Sequence, residues 1–301
     1  MFNPLGEWDY WDVIVDQGYR TLSERAEETS MSTDKVAAFA GTLAEFYDRY
    51  LVPLNFAPYA EVVADRVKGL LPRRILETAA GTGVVTQALA RELPSEVTST
   101  ATDLNQAMIE RGKVRPGMER VKWRQADAAK LPFPDGGFDL IVCQFGVMFF
   151  PDKRASFEEC FRVLIPGGTY VFVLWDDYDN MPSSPLWIAA ERVGDMLGRD
   201  PHTLLNPGYF DEPTIRADLA TVGFRDVRVD RIARPARAAS ARDAAVITVQ
   251  GSLLRTAIEA AGLSRLNEAT KAVEQVMHAR FGEGSVEGET RALIITTTKP
   301  R

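Results

Sequence analysis

Hydrophobic and polar positions switch between two periods along the chain, which predicts a succession of strands and helices. Short runs with strand character occur at 74–79, 96–103, 121–127, 138–145 and 169–176. The fourth and fifth runs are almost wholly apolar, which is typical of parallel strands covered by helices on both faces. The pattern predicts a doubly wound, mostly parallel α/β sheet.

Helical spacing separates these strands and also precedes them. Between the strands, apolar residues three or four apart predict helices through Val85, Leu89 and Leu93, across 105–112, and through Phe157, Cys160, Phe161 and Leu164. A Pro-Gly-Gly segment then predicts the end of that last helix. Ahead of the first strand, two helices are predicted, one through Leu43, Phe46, Tyr47 and Tyr50 and one, after Pro58, through Val62, Val63, Val67, Leu70 and Leu71.

The last third of the chain predicts helices near 186–197 and 212–222, a strand at 224–232 and a final strand at 291–299. More than fifty residues of mostly helical character lie between these two strands. An insertion of that length is more often a lid than a linker. The predicted fold is therefore a seven-stranded Rossmann-like sheet with a helical N-terminal cap and a helical lid insertion.

Domain boundaries follow from these elements. Residues 1–30 combine clustered aromatic side chains with acids, and they are either an extension ahead of a natural start at Met31 or an arm that packs on a neighbour. The other expected divisions are a helical cap at 31–72, a cofactor-binding core at 73–178, substrate-side helices with the sixth strand at 179–235, a lid at 236–289 and the final strand at 290–301.

Composition narrows the functional class. The chain has 301 residues, of which 46% are hydrophobic and 26% charged, so it can bury a full core without a metal or a disulfide. A net charge of -7 lacks the basic footprint of a nucleic-acid-binding protein. The two cysteines, Cys143 and Cys160, do not form a CxxC pair. We expect a cytoplasmic monomer or homodimer with no metal, no nucleic-acid partner and no membrane span.

The segment LETAAGTGVVT at 76–86 places Gly81 and Gly83 where the first strand ends. Such a turn binds a nucleotide-like ligand at the carboxyl edge of a parallel sheet. No lysine follows the glycines, which excludes a phosphate-binding P-loop. Thr86 stands where a nicotinamide-binding fingerprint needs its third small residue. Glu77 would repel a pyrophosphate but would suit a ligand that carries an ammonium group.

Two further acids end the next strands, Asp103 at the second and Asp127 at the third. Three acids on successive strands suit S-adenosylmethionine as the ligand. It has no phosphate that the acids would repel, and it carries a cationic sulfonium, an amino-acid tail and ribose hydroxyls that need acceptors. The alternatives are a protein that binds this cofactor without catalysis and, less favoured by Glu77 and Thr86, a nicotinamide-dependent oxidoreductase.

The chain resembles the class I S-adenosylmethionine-dependent methyltransferases, specifically the ubiquinone/menaquinone-biosynthesis-type group. The resemblance covers about residues 40–180 and rests on LETAAGTG (76–83), ATDLNQAMIERGK (101–113), QADAAKLPFPDGGFDLIVCQFGVMFFPD (125–152) and FRVLIPGGTYVFVLWD (161–176). It implies transfer of a methyl group from S-adenosylmethionine to a small or medium, partly apolar acceptor, with S-adenosylhomocysteine as product. One departure is Ala79, which replaces the first glycine of the usual pattern, so we expect a local adjustment of the backbone there.

The resemblance also implies roles for individual residues. The turn Ala79–Gly83 would lie under the methionine part, where Glu77 would help to bind the ammonium group. The other implied cofactor contacts are Asp103 on the ribose hydroxyls, Leu104 and Met108 beside the adenine, Asp127 on its exocyclic amine, the Ala128 backbone on the ring, the Gln144 backbone near the amino-acid tail, and Tyr47 and Tyr50 closing over the cofactor.

Candidates for acceptor chemistry are fewer. His202 and His278 are the only histidines, and the loop of His202 is expected to border the substrate mouth, so His202 is the better candidate for a general base. Trp175, Asp176 and Asp177 follow the fifth strand and either line the acceptor pocket or cap the strand.

Overall fold

The computed structural model describes residues 47–205, 208–262 and 265–301. Seven strands of these residues form one sheet. In chain order they are β1 (Arg74–Glu77), β2 (Thr98–Asp103), β3 (Lys122–Gln125), β4 (Phe138–Gln144), β5 (Leu164–Trp175), β6 (Arg225–Ala238) and β7 (Val286–Thr298). The predicted aromatic cluster at the N-terminus, and Leu43 and Phe46 of the predicted first helix, lie outside the described residues.

The spatial order of the strands is β3-β2-β1-β4-β5-β7-β6. Neighbours from β3 to β5 pair in parallel, whereas β7 runs antiparallel to both β5 and β6. The strand order reverses between β1 and β4, and ligands of such sheets bind in the crevice at the carboxyl end of that switch point. The glycine-rich segment follows β1, so it lies at this crevice. The predicted α/β sheet is confirmed.

The helices begin with a π-helical segment, Tyr47–Phe56, which runs directly into α1 (Ala57–Lys68). The remaining helices are α2 (Val84–Glu92), α3 (Gln106–Lys113), α4 (Lys153–Val163), α5 (Pro185–Leu197), α6 (His202–Leu205), α7 (Glu212–Val222), α8 (Ala241–Gln250), α9 (Leu253–Ala260) and α10 (Arg265–Phe281). Helices α8 to α10 make up the predicted insertion between β6 and β7, and α8 and α10 pack on each other and on α5.

Helices cover both faces of the sheet, as the alternation of side chains along β5 shows. Tyr170 and Phe172 lie on one face, where Phe157 of α4 packs with ring centroids 6.3 and 5.7 Å away. Trp175 lies on the other face, where the ring of Tyr59 from α1 is 5.6 Å away. Two-sided burial explains why β4 and β5 are almost wholly apolar in sequence.

Two helical segments precede β1 as predicted, but the bounds of the second differ from the prediction. Pro58 lies inside α1 and not ahead of it, in the first turn, where a missing N–H costs nothing. The helix ends at Lys68, and Leu70 and Leu71 are 42% and 84% exposed rather than part of its apolar face. Leu71 has a φ of 51°, so the chain turns there toward β1.

Three strands extend beyond their predicted bounds because glycine and proline do not interrupt them. The Pro-Gly-Gly segment forms an irregularity in the pairing of β4 with β5, so α4 ends at Val163 and Leu164 already belongs to β5. Pro235 lies on β6, an edge strand that tolerates a missing N–H, and it pairs with Glu289 of β7. Gly288 belongs to β7, where a Cβ would lie 2.1 Å from the Ser183 carbonyl oxygen.

Candidate cofactor-binding site

The turn after β1 is built from residues with left-handed backbone. Ala79, Gly81 and Gly83 have φ angles of 51°, 55° and 82°. The Thr78 N–H donates to the Val142 carbonyl of β4, and the Ala80 N–H donates to the Thr102 carbonyl of β2, both at 2.9 Å. The turn is therefore anchored to both neighbouring strands. Ala79 adopts the backbone that a glycine would adopt more easily, at a cost of about 1 kcal/mol.

Glu77 is the last residue of β1 and is only 3% exposed. Thr86 of α2 donates its hydroxyl to Glu77 Oε2 at 2.6 Å. Burial raises the pKa of Glu77 to about 8, the hydroxyl of Thr86 opposes this shift, and the Asp103 charge adds to it. The site thus contains a buried carboxyl group whose charged form a cationic ligand would stabilise.

Asp103 ends β2 and connects two parts of the site. Its Oδ2 accepts the Gly81 N–H at 2.8 Å, and its Oδ1 accepts the Asn105 N–H, also at 2.8 Å. Burial raises the pKa of Asp103, and these backbone N–H groups oppose the shift. Asn105, not Asp103, caps α3 by accepting the Ala107 N–H at 2.9 Å. Each carboxylate oxygen of Asp103 keeps acceptor capacity for a further donor.

The residues predicted to surround an adenine lie on the segments that follow β2 and β3. Leu104 is 36% exposed, Met108 lies half-buried on α3, and Ala128 is 9% exposed. Asp127 is exposed and follows β3 by two residues, and its Oδ1 accepts the Ala129 N–H at 2.8 Å. Since β3, β2 and β1 are adjacent parallel strands, Asp127, Asp103 and Glu77 lie along one edge of the sheet.

Two glycines allow the indole ring of Trp123 to pack under this site. A Cβ on Gly83 would lie 2.8 Å from the ring, and a Cβ on Gly112 of α3 would lie 2.4 Å from it. Both distances are shorter than any normal contact, so the ring fits only because both positions lack a side chain. In the sequence, Gly83 is predicted only to let the backbone approach a ligand, and no local pattern indicates this packing role.

Asp48 is a buried residue of the site that the sequence analysis missed. It lies in the π-helical segment, and its carboxylate accepts the Thr82 hydroxyl at 2.9 Å and the Arg111 Nε at 3.0 Å. Arg115 also forms an ion pair with Asp48, and its Nε donates to the Thr82 carbonyl at 2.6 Å. The carboxylate therefore joins the N-terminal cap to the glycine turn. In the sequence, the only signal was an acid between the two tyrosines already singled out.

Tyr47 and Tyr50 flank Asp48 in different environments. Tyr47 is half-buried, its ring lies 5.5 Å from that of Phe56, and burial together with the Asp103 and Asp48 charges raises the pKa of its hydroxyl. Tyr50 is 38% exposed, with the Arg49 guanidinium 5.3 Å from its ring centroid. Tyr47 therefore lies close enough to Asp103 to feel its charge.

Gln144 ends β4 beside a cluster of aromatic rings. Its Nε2 donates to the Phe56 carbonyl at 3.2 Å, while its buried Oε1 has no hydrogen-bond partner among the described residues. The next residue, Phe145, has a φ of 56° and stacks on Trp175 with centroids 3.9 Å apart. Cys143, by contrast, is a buried core thiol, and burial raises its pKa to about 11.

His202 begins α6 among carboxylates. Its Nδ1 lies 3.1 Å from Asp200 Oδ1, and its Nε2 lies 3.5 Å from Asp179 Oδ1 and 3.9 Å from Asp177 Oδ1. The ligand atoms of His202, Asp177 and Asp179 lie within 4.8 Å of one another, a spacing that a metal ion would accept. His202 and Asp179 are 41% and 71% exposed, and such exposed groups are stable in water without a metal.

A cavity of about 630 Å³ opens beyond the carboxyl end of β5. Its lining residues are Asp176, Asp177, Asn180, Phe210, Asp211, Glu212, Pro213, Arg216 and Arg231. Trp175, Asp176 and Asp177 are predicted either to line the acceptor pocket or to cap the fifth strand. Asp176 and Asp177 line this cavity. Trp175 packs instead against the rings of Tyr59 and Phe145. His202 is not among the lining residues, although Asp177 connects its cluster to the cavity.

The fold agrees with the comparison of this chain with known proteins. Residues 76–172 match the family model described as "Methyltransferase domain". An uncharacterized protein of Mycobacterium tuberculosis is 30% identical over 153 residues, which are 50% of this chain and 53% of that protein. A demethylmenaquinone methyltransferase of Deinococcus radiodurans is 34% identical over 124 residues, which are 40% and 49% of the two chains.

The chain spans about half the length of these curated relatives. Among solved structures, the YcgJ protein of Bacillus subtilis has a TM-score of 0.52 at 17% identity and covers 79% of this chain and 98% of its own. That likeness establishes the fold. Within the described residues, no helix combines the length and apolar character that crossing a membrane requires. The match over 76–172 includes the glycine turn, Glu77, Asp103 and Gln144, so these residues of the candidate site lie in the part of the chain that is similar to a methyltransferase domain.

Proposed function

We propose that the chain is an S-adenosylmethionine-dependent methyltransferase that acts on a small or medium, partly apolar acceptor. The observation that carries the proposal is the junction of Glu77, the glycine turn and Asp103 at the switch point of the sheet, inside the methyltransferase domain. The curated relative from Deinococcus radiodurans is named a methyltransferase as well. We also propose a cytoplasmic location and a monomer or homodimer that binds no nucleic acid. For the described part of the chain we propose a cofactor-binding core at 73–178, substrate-side helices with the sixth strand at 179–235, a lid at 236–289 and a final strand at 290–301.

The described residues fit this cofactor. A Cβ on Gly81 would meet nothing within 4 Å, so the turn is open on that side for a ligand. The charged form of the buried Glu77 carboxyl would pair with an ammonium group, and in neither form does Glu77 offer a pyrophosphate a positive partner, which disfavours a nicotinamide cofactor. Gln144 Oε1 is a buried acceptor without a partner in the described part of the chain, and it would be satisfied by a donor from a ligand or solvent.

In this proposal, each strand end contacts one part of the cofactor. Glu77 and the Ala79–Gly83 turn hold the amino-acid part, with the Gln144 backbone beside it. The nucleoside contacts are Asp103 to the ribose hydroxyls, Leu104 and Met108 to the adenine faces, Asp127 to the exocyclic amine and the Ala128 backbone to the ring. Tyr47 and Tyr50 close the site from the cap, and Asp48 fixes this cap to the turn.

Bound S-adenosylmethionine supplies an activated methyl group, and its transfer to a nucleophile leaves S-adenosylhomocysteine. This reaction needs no covalent enzyme intermediate, so the residues act by alignment and by exclusion of water. The acceptor approaches from the carboxyl ends of β4 and β5, near the cavity lined by Asp176 and Asp177. His202 would serve as a base only for an acceptor that has to lose a proton.

The proposal is tested with methyl-labelled S-adenosylmethionine and a panel of acceptors that contains quinone-like ring carbons, phenolic hydroxyls, small amines and lipid amines. Transfer of label to at least one acceptor class, abolished by Asp103→Ala, is the expected result. Binding of the cofactor without transfer to any acceptor would favour a non-catalytic binding protein instead.

A further inference from the structure

The cavity at the carboxyl end of β5 is lined by more acids than bases. Its carboxylates belong to Asp176, Asp177, Asp211 and Glu212, and its guanidinium groups to Arg216 and Arg231. With all six groups charged, the lining carries two net negative charges. A volume of about 630 Å³ is in the range of small-molecule sites, and a cleft with one dominant sign of charge concentrates ligands of the opposite sign.

Both guanidinium groups already have a carboxylate partner. Arg216 donates to Glu212 Oε1 through Nε at 3.0 Å and Nη2 at 2.8 Å, and its Nη1 donates to the Val227 carbonyl at 2.6 Å. Arg231 Nη1 donates to Glu212 Oε2 at 3.1 Å. Glu212 thus pairs with both bases and leaves one positive charge, which the three remaining carboxylates outweigh, so those carboxylates determine which ligand charge the cavity favours.

Asp176 is the most buried of these carboxylates, with 6% of its surface exposed. Its Oδ1 accepts the neighbouring Asp177 N–H at 2.9 Å, and no lysine, arginine or histidine among the described residues forms an ion pair with it. A buried carboxylate without a cationic partner is costly, and a ligand cation would offset that cost. Asp177 lies beside it and is 30% exposed in its side chain.

We propose that this cavity binds an ammonium group carried by the methyl acceptor, with Asp176 accepting a hydrogen bond from that group and the apolar part of the acceptor against Phe210 and Pro213. This inference rests on the proposed methyltransferase function and narrows its acceptor to an amphipathic amine. The ammonium is a binding group, because a protonated amine has no lone pair with which to accept a methyl group.

The test uses three probes that differ in one terminal group: phenylbutylamine, the neutral phenylbutanol and the anionic phenylbutyrate. Each is titrated by calorimetry into the full chain saturated with S-adenosylhomocysteine. The expected order of affinity is amine, then alcohol, then carboxylate, with about tenfold between the first two, the size of one charge-assisted hydrogen bond. Asp176→Asn is expected to remove that preference and to leave alcohol binding unchanged.

Asp195→Asn is the matched control, because Asp195 is exposed on α5 and does not line the cavity. It is expected to leave all three affinities unchanged. Asp176→Glu keeps the charge and provides a second comparison if Asp176→Asn does not fold. Equal binding of amine and alcohol, or stronger binding of the carboxylate, would overturn the inference. Binding of S-adenosylhomocysteine, measured first on the same samples, separates that outcome from a failure of the proposed function.

Discussion

At the scale of single residues, Glu77 has a property that distinguishes it from an ordinary surface acid. Its pKa rises from 4.5 to about 8 because the side chain is buried. Between these two values the folded chain holds a proton that the unfolded chain has lost. The free energy of unfolding therefore falls as the pH rises through this window, by at most about 1.4 kcal/mol per pH unit from this group.

Glu77→Gln is expected to remove that contribution. The amide oxygen of glutamine can still accept the Thr86 hydroxyl, so the variant tests the charge and not the hydrogen bond. Urea unfolding from about pH 5 to about pH 8 should show the free energy of unfolding of the variant rising relative to that of the wild type as the pH increases. Glu96→Gln, at an exposed position, is the control. A constant difference across the window would contradict the account.

At the scale of elements, the packing of α3 on Trp123 depends on Gly112. Gly112→Ala would place a Cβ 2.4 Å from the ring, so the ring or the helix must move. We expect a loss of about 1–3 kcal/mol in the free energy of unfolding, despite the better helix propensity of alanine. Equilibrium unfolding in urea measures it.

A second substitution checks the cause of this loss. In the double variant Gly112→Ala, Trp123→Leu, most of the cost should disappear relative to Trp123→Leu alone, because the clashing ring is absent. If Gly112→Ala costs the same in both backgrounds, the ring is not the reason for the glycine.

The connection between the cap and the glycine turn depends on Asp48. Asp48→Ala leaves Arg111, Arg115 and Thr82 without their shared acceptor, and the Asp48 and Arg115 side chains are only 7% and 16% exposed. Loss of one partner of a buried pair costs about 3 kcal/mol or more. The midpoint of urea unfolding and the affinity for S-adenosylhomocysteine should both fall. The control is Asp65→Ala on the exposed face of α1, which should change neither the urea midpoint nor the affinity. An unchanged affinity in Asp48→Ala would show that the cap does not support the turn.

At the scale of the whole molecule, the order of strands and helices could be predicted because hydrophobic periodicity is a local signal. Strands β1, β2 and β4 and helix α7 agree closely with their predicted bounds. The errors occur where long-range contacts override local signals. Pro235 suggests the end of a strand but lies on a sheet edge, and Gly288 suggests a turn but gives room to the Ser183 carbonyl.

The candidate site was predictable to a similar extent and for the same reason. Residues at strand ends, such as Glu77 and Asp103, are placed together by sheet topology alone, so a sequence can indicate them. The role of Asp48 depends on Arg111 and Arg115, more than sixty positions away in the chain. No local pattern records such a contact. The charge balance of the cavity likewise combines β5, α7 and β6.

The most direct test of the central claim is calorimetric binding of S-adenosylmethionine and S-adenosylhomocysteine to the wild type and to Asp103→Ala, with NAD as the control ligand. The account predicts that both sulfur-containing ligands bind to the wild type and that NAD does not. Asp103→Ala is expected to weaken the binding of both ligands at least about tenfold, because removing an acceptor of the ribose hydroxyls costs at least one charge-assisted hydrogen bond. Failure of both ligands to bind the wild type, or a preference for NAD, would contradict it.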